Sequence, residues 1–151
     1  MIHNRKPLLA FLLIFLSVLL SSLLGGCSAK EANGEQPFPM SHLEGAPAEV
    51  LNAPAAVRDA YAFAVANPEV LKELPCYCGC GAMGHTSNYA CYVSAVDASG
   101  SVSYDTHALG CSICVDITLD AMRMLKQGKA LPEIRAFVDD TYSRYGPSNL
   151  P

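Results

Sequence analysis

The chain has 151 residues, with ten Lys and Arg against 14 Asp and Glu and a net charge of −4 near neutral pH. That length builds one domain around one modest core. The acidic balance gives no support to nucleic-acid binding, which shows as a basic patch.

Residues 1–6 carry Arg5 and Lys6 and no acid, and Leu8 to Leu24 run apolar apart from Ser17, Ser21 and Ser22. A basic start, an apolar stretch and small residues before a cut mark a secretory signal peptide, expected over residues 1–26. The stretch ends in Leu24-Gly25-Gly26-Cys27, which resembles the lipobox of bacterial lipoproteins, where the Cys thiol is diacylated and cleavage falls just before it. Cys27 is therefore the expected lipidation site. Two or three acyl chains such as palmitate on one residue hold a protein stably at a membrane. The expected localisation is extracytoplasmic, lipid-anchored to a cell membrane. Loss of Arg5 and Lys6 leaves eight basic residues against 14 acidic ones and moves the net charge from −4 to −6.

Cys27 and the residues to 47 read as a flexible tether. Ser28 to Ala48 contains Gly34, Gly45, Pro37, Pro39 and Pro47 among Glu, Ser and Asn, with little periodicity. Such a segment buries too little apolar surface to order itself. Met40 and His42 then read as solvent-exposed linker side chains. The folded domain is expected over residues 48–146, with 147–151 as a tail.

Within the domain, Asn52 to Asn67 places Val57, Tyr61, Ala64 and Val65 at helical spacing, with Pro54 suited to a first turn. Asn67-Pro68 reads as the cap and first turn of a second, short helix carrying Val70, Leu71 and Leu74, which Pro75 stops. From Asn88 to Tyr104 the pattern shifts toward β, with an Asp97-Ala98-Ser99-Gly100 turn at its centre, and predicts a small hairpin. Ser112 to Gln127 reads as one helix ending at Gly128. Pro132 opens a last helix whose face holds Ile134, Phe137, Val138, Thr141, Tyr142 and Tyr145, and Gly146-Pro147 ends it. The expected fold is mainly α: a small single domain with at most one short β-hairpin, organised around a Cys/His cluster.

The chemistry gathers in two places. One is Pro75-Cys76-Tyr77-Cys78-Gly79-Cys80-Gly81, followed by Gly84-His85 and then Cys91. The other is His107-Ala108-Leu109-Gly110-Cys111-Ser112-Ile113-Cys114. With Cys27 assigned to lipid, the six remaining cysteines all fall between Cys76 and Cys114, together with His85 and His107.

Three causes compete for that clustering. Disulfides are the default for an exported domain of this size. The spacing fits them badly, because bridges among Cys76, Cys78 and Cys80 would close tiny strained rings, leaving Cys91, Cys111 and Cys114 as the distant partners. A soft-metal site fits better. Thiolates at i, i+2 and i+4 can wrap an ion, and Gly79, Gly81 and Gly84 allow the positive φ values that a tight wrap needs. Cys111 and Cys114 lie one helical turn apart at a helix start, where the dipole favours thiolates. Six sulfurs and two imidazoles would fill two tetrahedral zinc sites or hold a copper(I)–thiolate cluster. Thiol–disulfide exchange at Cys111-Ser112-Ile113-Cys114 is the third cause, but the βαβ context of a thioredoxin-like fold is missing. A c-type haem is excluded, because Val115 and not His follows Cys114.

The metal ligands expected are thus Cys76, Cys78, Cys80, Cys91, Cys111 and Cys114, with His85 and His107. Asp105, two residues before His107, is positioned to hydrogen-bond an imidazole and set its tautomer. Met83, Met122 and Met124 are candidate thioether ligands, although Met at helical spacing more often packs a core. Tyr77, Tyr89 and Tyr92 are expected to pack around the site.

The PCYCGCG run at Pro75 to Gly81, Gly84-His85 and the stretch YDTHALGCSICVDITLDAM from Tyr104 to Met122 resemble the PCYCGC-motif family found in bacterial lipoproteins. The resemblance covers about Ala48 to Tyr145 and implies a lipid anchor, a spacer and a Cys-rich domain. It brings no activity with it. The expected function, from the ligand argument, is a binding protein and not an enzyme, taking copper(I) first and zinc second for storage, delivery or detoxification. Its partners would be the membrane and a metal donor or acceptor protein. The alternatives are a disulfide-stapled interaction module and an extracytoplasmic thiol oxidoreductase.

Overall fold

A computed structural model describes residues 37–151. The expected signal peptide at 1–26, the lipidation site Cys27 and the first part of the spacer lie outside the described residues. In chain order the elements are α1 (Ala48–Leu51), α2 (Ala55–Ala66), α3 (Pro68–Leu71), β1 (Val93–Val96), β2 (Val102–Tyr104), α4 (Ser112–Lys126) and α5 (Leu131–Tyr142). Short 3₁₀ turns at Cys80–Met83, Tyr89–Cys91 and His107–Leu109 connect them. The domain is mainly α with one two-stranded antiparallel hairpin. Among the described residues no helix is long and apolar enough to cross a membrane.

Helix α2 lies at the centre. Ala60, Tyr61, Ala62, Phe63 and Ala64 are consecutive and all buried, so the helix is covered on most of its circumference. Alternating small and large side chains lets neighbours approach closely. It packs on α4, which in turn packs on α5. The α4 positions Ile117, Ala121 and Met124 and the α5 positions Ile134, Val138 and Tyr142 recur at three to four residues and fill the seam between them. Full burial of each large aliphatic or aromatic side chain contributes roughly 1.5–3 kcal/mol.

The ends of the elements follow local chemistry. Pro54 sits immediately before α2 and Pro132 in the first turn of α5, where a missing N–H costs nothing. The Glu133 carboxylate accepts a hydrogen bond from the Ala130 N–H at 3.1 Å at the start of α5. Asn67 precedes α3 but does not cap it: its side chain donates instead to the carbonyls of Pro39 and Phe63, both at 2.9 Å. The hairpin turn is closed by Asp97, whose carboxylate accepts from the N–H groups of Ser99 and Ser101 and from the Ser99 hydroxyl.

Two stretches expected to lie outside the domain belong to it. Residues 37–47 are packed down, with Phe38 and Leu43 buried. The Phe38 ring meets Phe63 edge-on at 4.9 Å, and the Ser41 N–H reaches the Ala62 carbonyl. Two apolar side chains and a backbone bond outweigh the Pro-rich composition that suggested a free tether. His42 is exposed and Met40 half-buried. At the other end, the expected tail of residues 147–151 returns to the PCYCGC loop through Asn149, as described below.

Candidate metal centre

The loop after α3 leaves Leu74 buried and carries Cys76, Cys78 and Cys80 in quick succession. Gly79 (φ +85°) and Gly84 (φ +91°) adopt the left-handed conformation on either side of the Cys80–Met83 turn, reversing the chain where a side chain would be strained. Gly81, unlike those two, does not take a positive φ, and a Cβ there would make only an ordinary contact with Asn149 at 3.4 Å. His85 and Cys91 follow before β1. His107 stands in the turn after β2. Cys111 is the residue preceding α4, and Cys114 lies in its first turn.

All eight expected ligands meet in one place. The donor atoms of Cys78, His107, Cys111 and Cys114 lie within 4.8 Å of one another, as do those of Cys80, His85, Cys91 and His107. The triads Cys76/Cys78/Cys80 and Cys76/Cys91/Cys114 satisfy the same limit. Cys76 Sγ is 3.3 Å from Cys114 Sγ and 3.4 Å from Cys78 Sγ, Cys78 Sγ is 3.7 Å from Cys114 Sγ, and Cys80 and Cys91 are 3.6 Å apart. Cys78 Sγ is 3.4 Å from His107 Nε2. These separations approach the edge of a tetrahedron of thiolates around zinc, about 3.8 Å for a metal–sulfur bond of about 2.3 Å. All six cysteines are free, with sulfurs well beyond the disulfide bond length of about 2.05 Å. Met122 and Met124 are core residues and Met83 is exposed.

Cys76, Cys80, His85, Cys91 and Cys114 are buried, whereas Cys78, His107 and Cys111 are half-exposed and form the open edge. Cys111 also lines a shallow groove with Val57, Leu109 and Asp116. The hydrogen-bond partners of the sulfurs among the described residues are one another, His107, the Asn149 amide and the Ser87 carbonyl, with no Lys or Arg among them. Hydrogen bonds from Cys114 and Cys91 hold the Cys76 thiol down to about 2, against the opposing effect of burial. The Cys78 and Cys80 thiols are pushed up, first by burial and then by interaction with Cys76. Cys114 is pushed up by its hydrogen bonds with Cys76 and Cys91 and by burial. Cys91 is also raised: a hydrogen bond with Cys114 lowers it, but Cys76 and burial outweigh that. A thiolate at Cys76 thus opposes ionisation of its neighbours.

The two imidazoles stand beside the sulfurs, with ring centroids 5.1 Å apart. His85 Nε2 lies 3.4 Å from Asp105 Oδ2, while its Nδ1 is buried and has no hydrogen-bond partner. With the carboxylate beside Nε2, a neutral ring protonated at that nitrogen has its bare lone pair on Nδ1, the arrangement that orients histidine toward a metal. Asp105 is positioned to orient an imidazole, but that of His85 and not that of the nearer His107. Its other oxygen accepts from the His107 backbone N–H at 2.8 Å and shapes the turn. The Asp105 backbone is fixed in turn by the Tyr61 hydroxyl, 2.8 Å from its carbonyl, and by the Tyr92 carbonyl, which accepts from its N–H.

Of the residues that support the site, Tyr92 is expected from the sequence, whereas Asn88, Thr118 and Asn149 give no signal there. A fully buried polar network stands behind Cys114. The Tyr92 hydroxyl is 2.8 Å from both the Cys114 carbonyl and Thr118 Oγ1, Thr118 donates to Asn88 Oδ1, and Asn88 Nδ2 donates to the Cys114 carbonyl. Tyr92 packs edge-on against Tyr61, while Tyr77 donates to Asp139 at 2.7 Å, away from the sulfurs. Asn149 acts from the C-terminal side. Its Oδ1 accepts from the Cys76 N–H at 2.6 Å, its backbone N–H donates to the Cys76 carbonyl, and its Nδ2 reaches the Ser87 carbonyl at 3.1 Å and Cys80 Sγ at 3.4 Å. A hydrophilic residue seven positions past α5 carries no pattern that predicts this.

The fold and site define a small helical domain built around a Cys/His cluster capable of holding a metal. The family model described as a protein of unknown function with PCYCGC motif matches residues 16–150, and the chain belongs to that family. No curated protein and no solved structure matches the chain.

Proposed function

We propose that this chain is an exported, lipid-anchored binding protein that captures a thiophilic metal ion at the outer face of a membrane, for storage, delivery or detoxification. The observation that carries the metal reading is the buried, unpartnered Nδ1 of His85, in a group that also brings Cys80, Cys91 and His107 together. A lone pair left bare in a buried site costs about 1–3 kcal/mol, which an ion would recover. Export and anchoring are supported by the basic and apolar stretch at residues 1–26 and by Leu24-Gly25-Gly26-Cys27. The open edge at Cys78, His107 and Cys111 supports loading and release by ligand exchange, with a metal donor or acceptor protein as the partner.

Mixed sulfur and imidazole quartets suit tetrahedral zinc. Copper(I) is the second reading, favoured by the sulfur-only triads around Cys76, since soft thiolates select it. The test is to purify the full chain under anaerobic, reducing conditions, measure bound metals by mass spectrometry, and count reactive thiols before and after chelation. Bound zinc or copper with thiols unmasked by chelation is the expected result, with Cys78→Ala sharply lowering the load. A reduced chain that holds neither zinc nor copper, with its thiols equally reactive before and after chelation, would overturn the reading.

A further inference from the structure

We infer that the centre is binuclear, with Cys76 completing the four donors of its second ion. The inference rests on the metal reading above and concerns how many ions the eight donors take and how the donors divide between them.

A tetrahedral ion takes four donors. If one ion occupied Cys78, His107, Cys111 and Cys114, then Cys80, Cys91 and His85 would remain buried beside it, with the His85 Nδ1 still bare. If it occupied the other quartet, Cys78, Cys111 and Cys114 would be left instead. Neither choice satisfies the cluster, so two ions are required. The two quartets overlap only at His107. A neutral imidazole has one lone pair to give, and His107 Nε2 stands 3.4 Å from Cys78 Sγ, which assigns it to the first ion.

The second ion then has Cys80, His85 and Cys91 and lacks a fourth donor. Cys76 is the only one of the eight left. It is grouped with Cys80 in one triad and with Cys91 in another, so its sulfur is within 4.8 Å of both. With Cys76 the second ion has four donors, and the eight divide four and four. The Cys76 sulfur is also 3.3 Å from Cys114 and 3.4 Å from Cys78, ligands of the first ion, so the two sets lie side by side in one cluster.

The test uses the purified full chain, reduced and titrated with cadmium-113 as a tetrahedral, NMR-active probe. Native mass spectrometry is expected to saturate at two equivalents. Proton–cadmium correlation spectra should show two cadmium resonances, with the Cys111 β-protons coupled to the first and the Cys76 β-protons to the second. Cys111→Ser should weaken the first resonance while leaving the second. Saturation at one equivalent, or Cys76 and Cys111 coupled to the same resonance, would overturn this division and leave the metal reading intact. A chain that takes up no cadmium, zinc or copper would remove both.

Discussion

Replacing Asn149 with Ala is the sharpest test of how the PCYCGC loop is held. The substitution removes a hydrogen bond to the Cys76 N–H at 2.6 Å, one to the Ser87 carbonyl at 3.1 Å and a weaker one to Cys80 Sγ at 3.4 Å. A net contribution of about 0.5–1.5 kcal/mol applies to each of the first two, and the Cys76 N–H, left buried without a partner, costs about 1–3 kcal/mol. Because the orphaned donor and the lost bond are the same event at Cys76, the two are not summed, and the expected destabilisation is about 2–4 kcal/mol. Urea unfolding followed by circular dichroism, with wild type and variant at the same metal load, reads this directly. For urea slopes of about 1–3 kcal/mol per molar, the midpoint should fall by about 1–3 M. Ser148→Ala is the control: Ser148 is exposed and its hydroxyl accepts from the Leu150 N–H, so its effect should stay within about 0.5 kcal/mol. If Asn149→Ala moves the midpoint no further than that control, the tail does not hold the loop and the reasoning fails.

Three further outcomes follow from the same geometry. Gly146→Ala should lower the melting temperature by several degrees, since a Cβ there would stand 2.8 Å from the Tyr77 carbonyl oxygen and overpacking of this kind costs about 1–3 kcal/mol; an unchanged melting curve would mean that the tail can move aside. Tyr92→Phe keeps the edge-on contact with Tyr61 but strips a hydroxyl from the Cys114 carbonyl and Thr118, and chemical unfolding should show a loss of about 1–3 kcal/mol. Asp105→Asn should weaken zinc binding by about 10–100-fold in a chelator competition, because the His85 ring loses the carboxylate that fixes its tautomer; equal affinity would show that His85 needs no such support.

The centre was legible in the sequence where chemistry is written in residue type. Six cysteines and two histidines cannot be mistaken for core packing, and the structure brings together all eight. The long helices were equally plain, because Ile117, Ala121 and Met124, or Ile134, Val138 and Tyr142, repeat at helical spacing. What composition hid was tertiary. Phe38 and Leu43 stand among prolines and glycines, and only the presence of Phe63 and the rest of the core makes their burial favourable. Asn67 has the identity of a helix cap, yet bonds across to Pro39 instead, because a partner 28 residues away is within reach. Asn149 and the Asn88–Tyr92–Thr118 network consist of ordinary polar residues whose role depends on what the fold puts beside them.

The Asn149 contact also fixes an order of assembly. Cys76, Cys78 and Cys80 are neighbours in the chain, Cys80 meets Cys91 across 11 residues, Cys76 meets Cys114 across 38, and Asn149 closes on Cys76 across 73. Loop-closure entropy grows with each of these separations, by about 0.6 kcal/mol per doubling of length. The sulfurs of the PCYCGC run therefore gather first, while the latch that fixes their backbone forms only after residue 149 has been made. During that interval the thiols are present without the scaffold that orders them. An ion arriving early would serve as a folding nucleus, and an oxidant arriving early would have the same access.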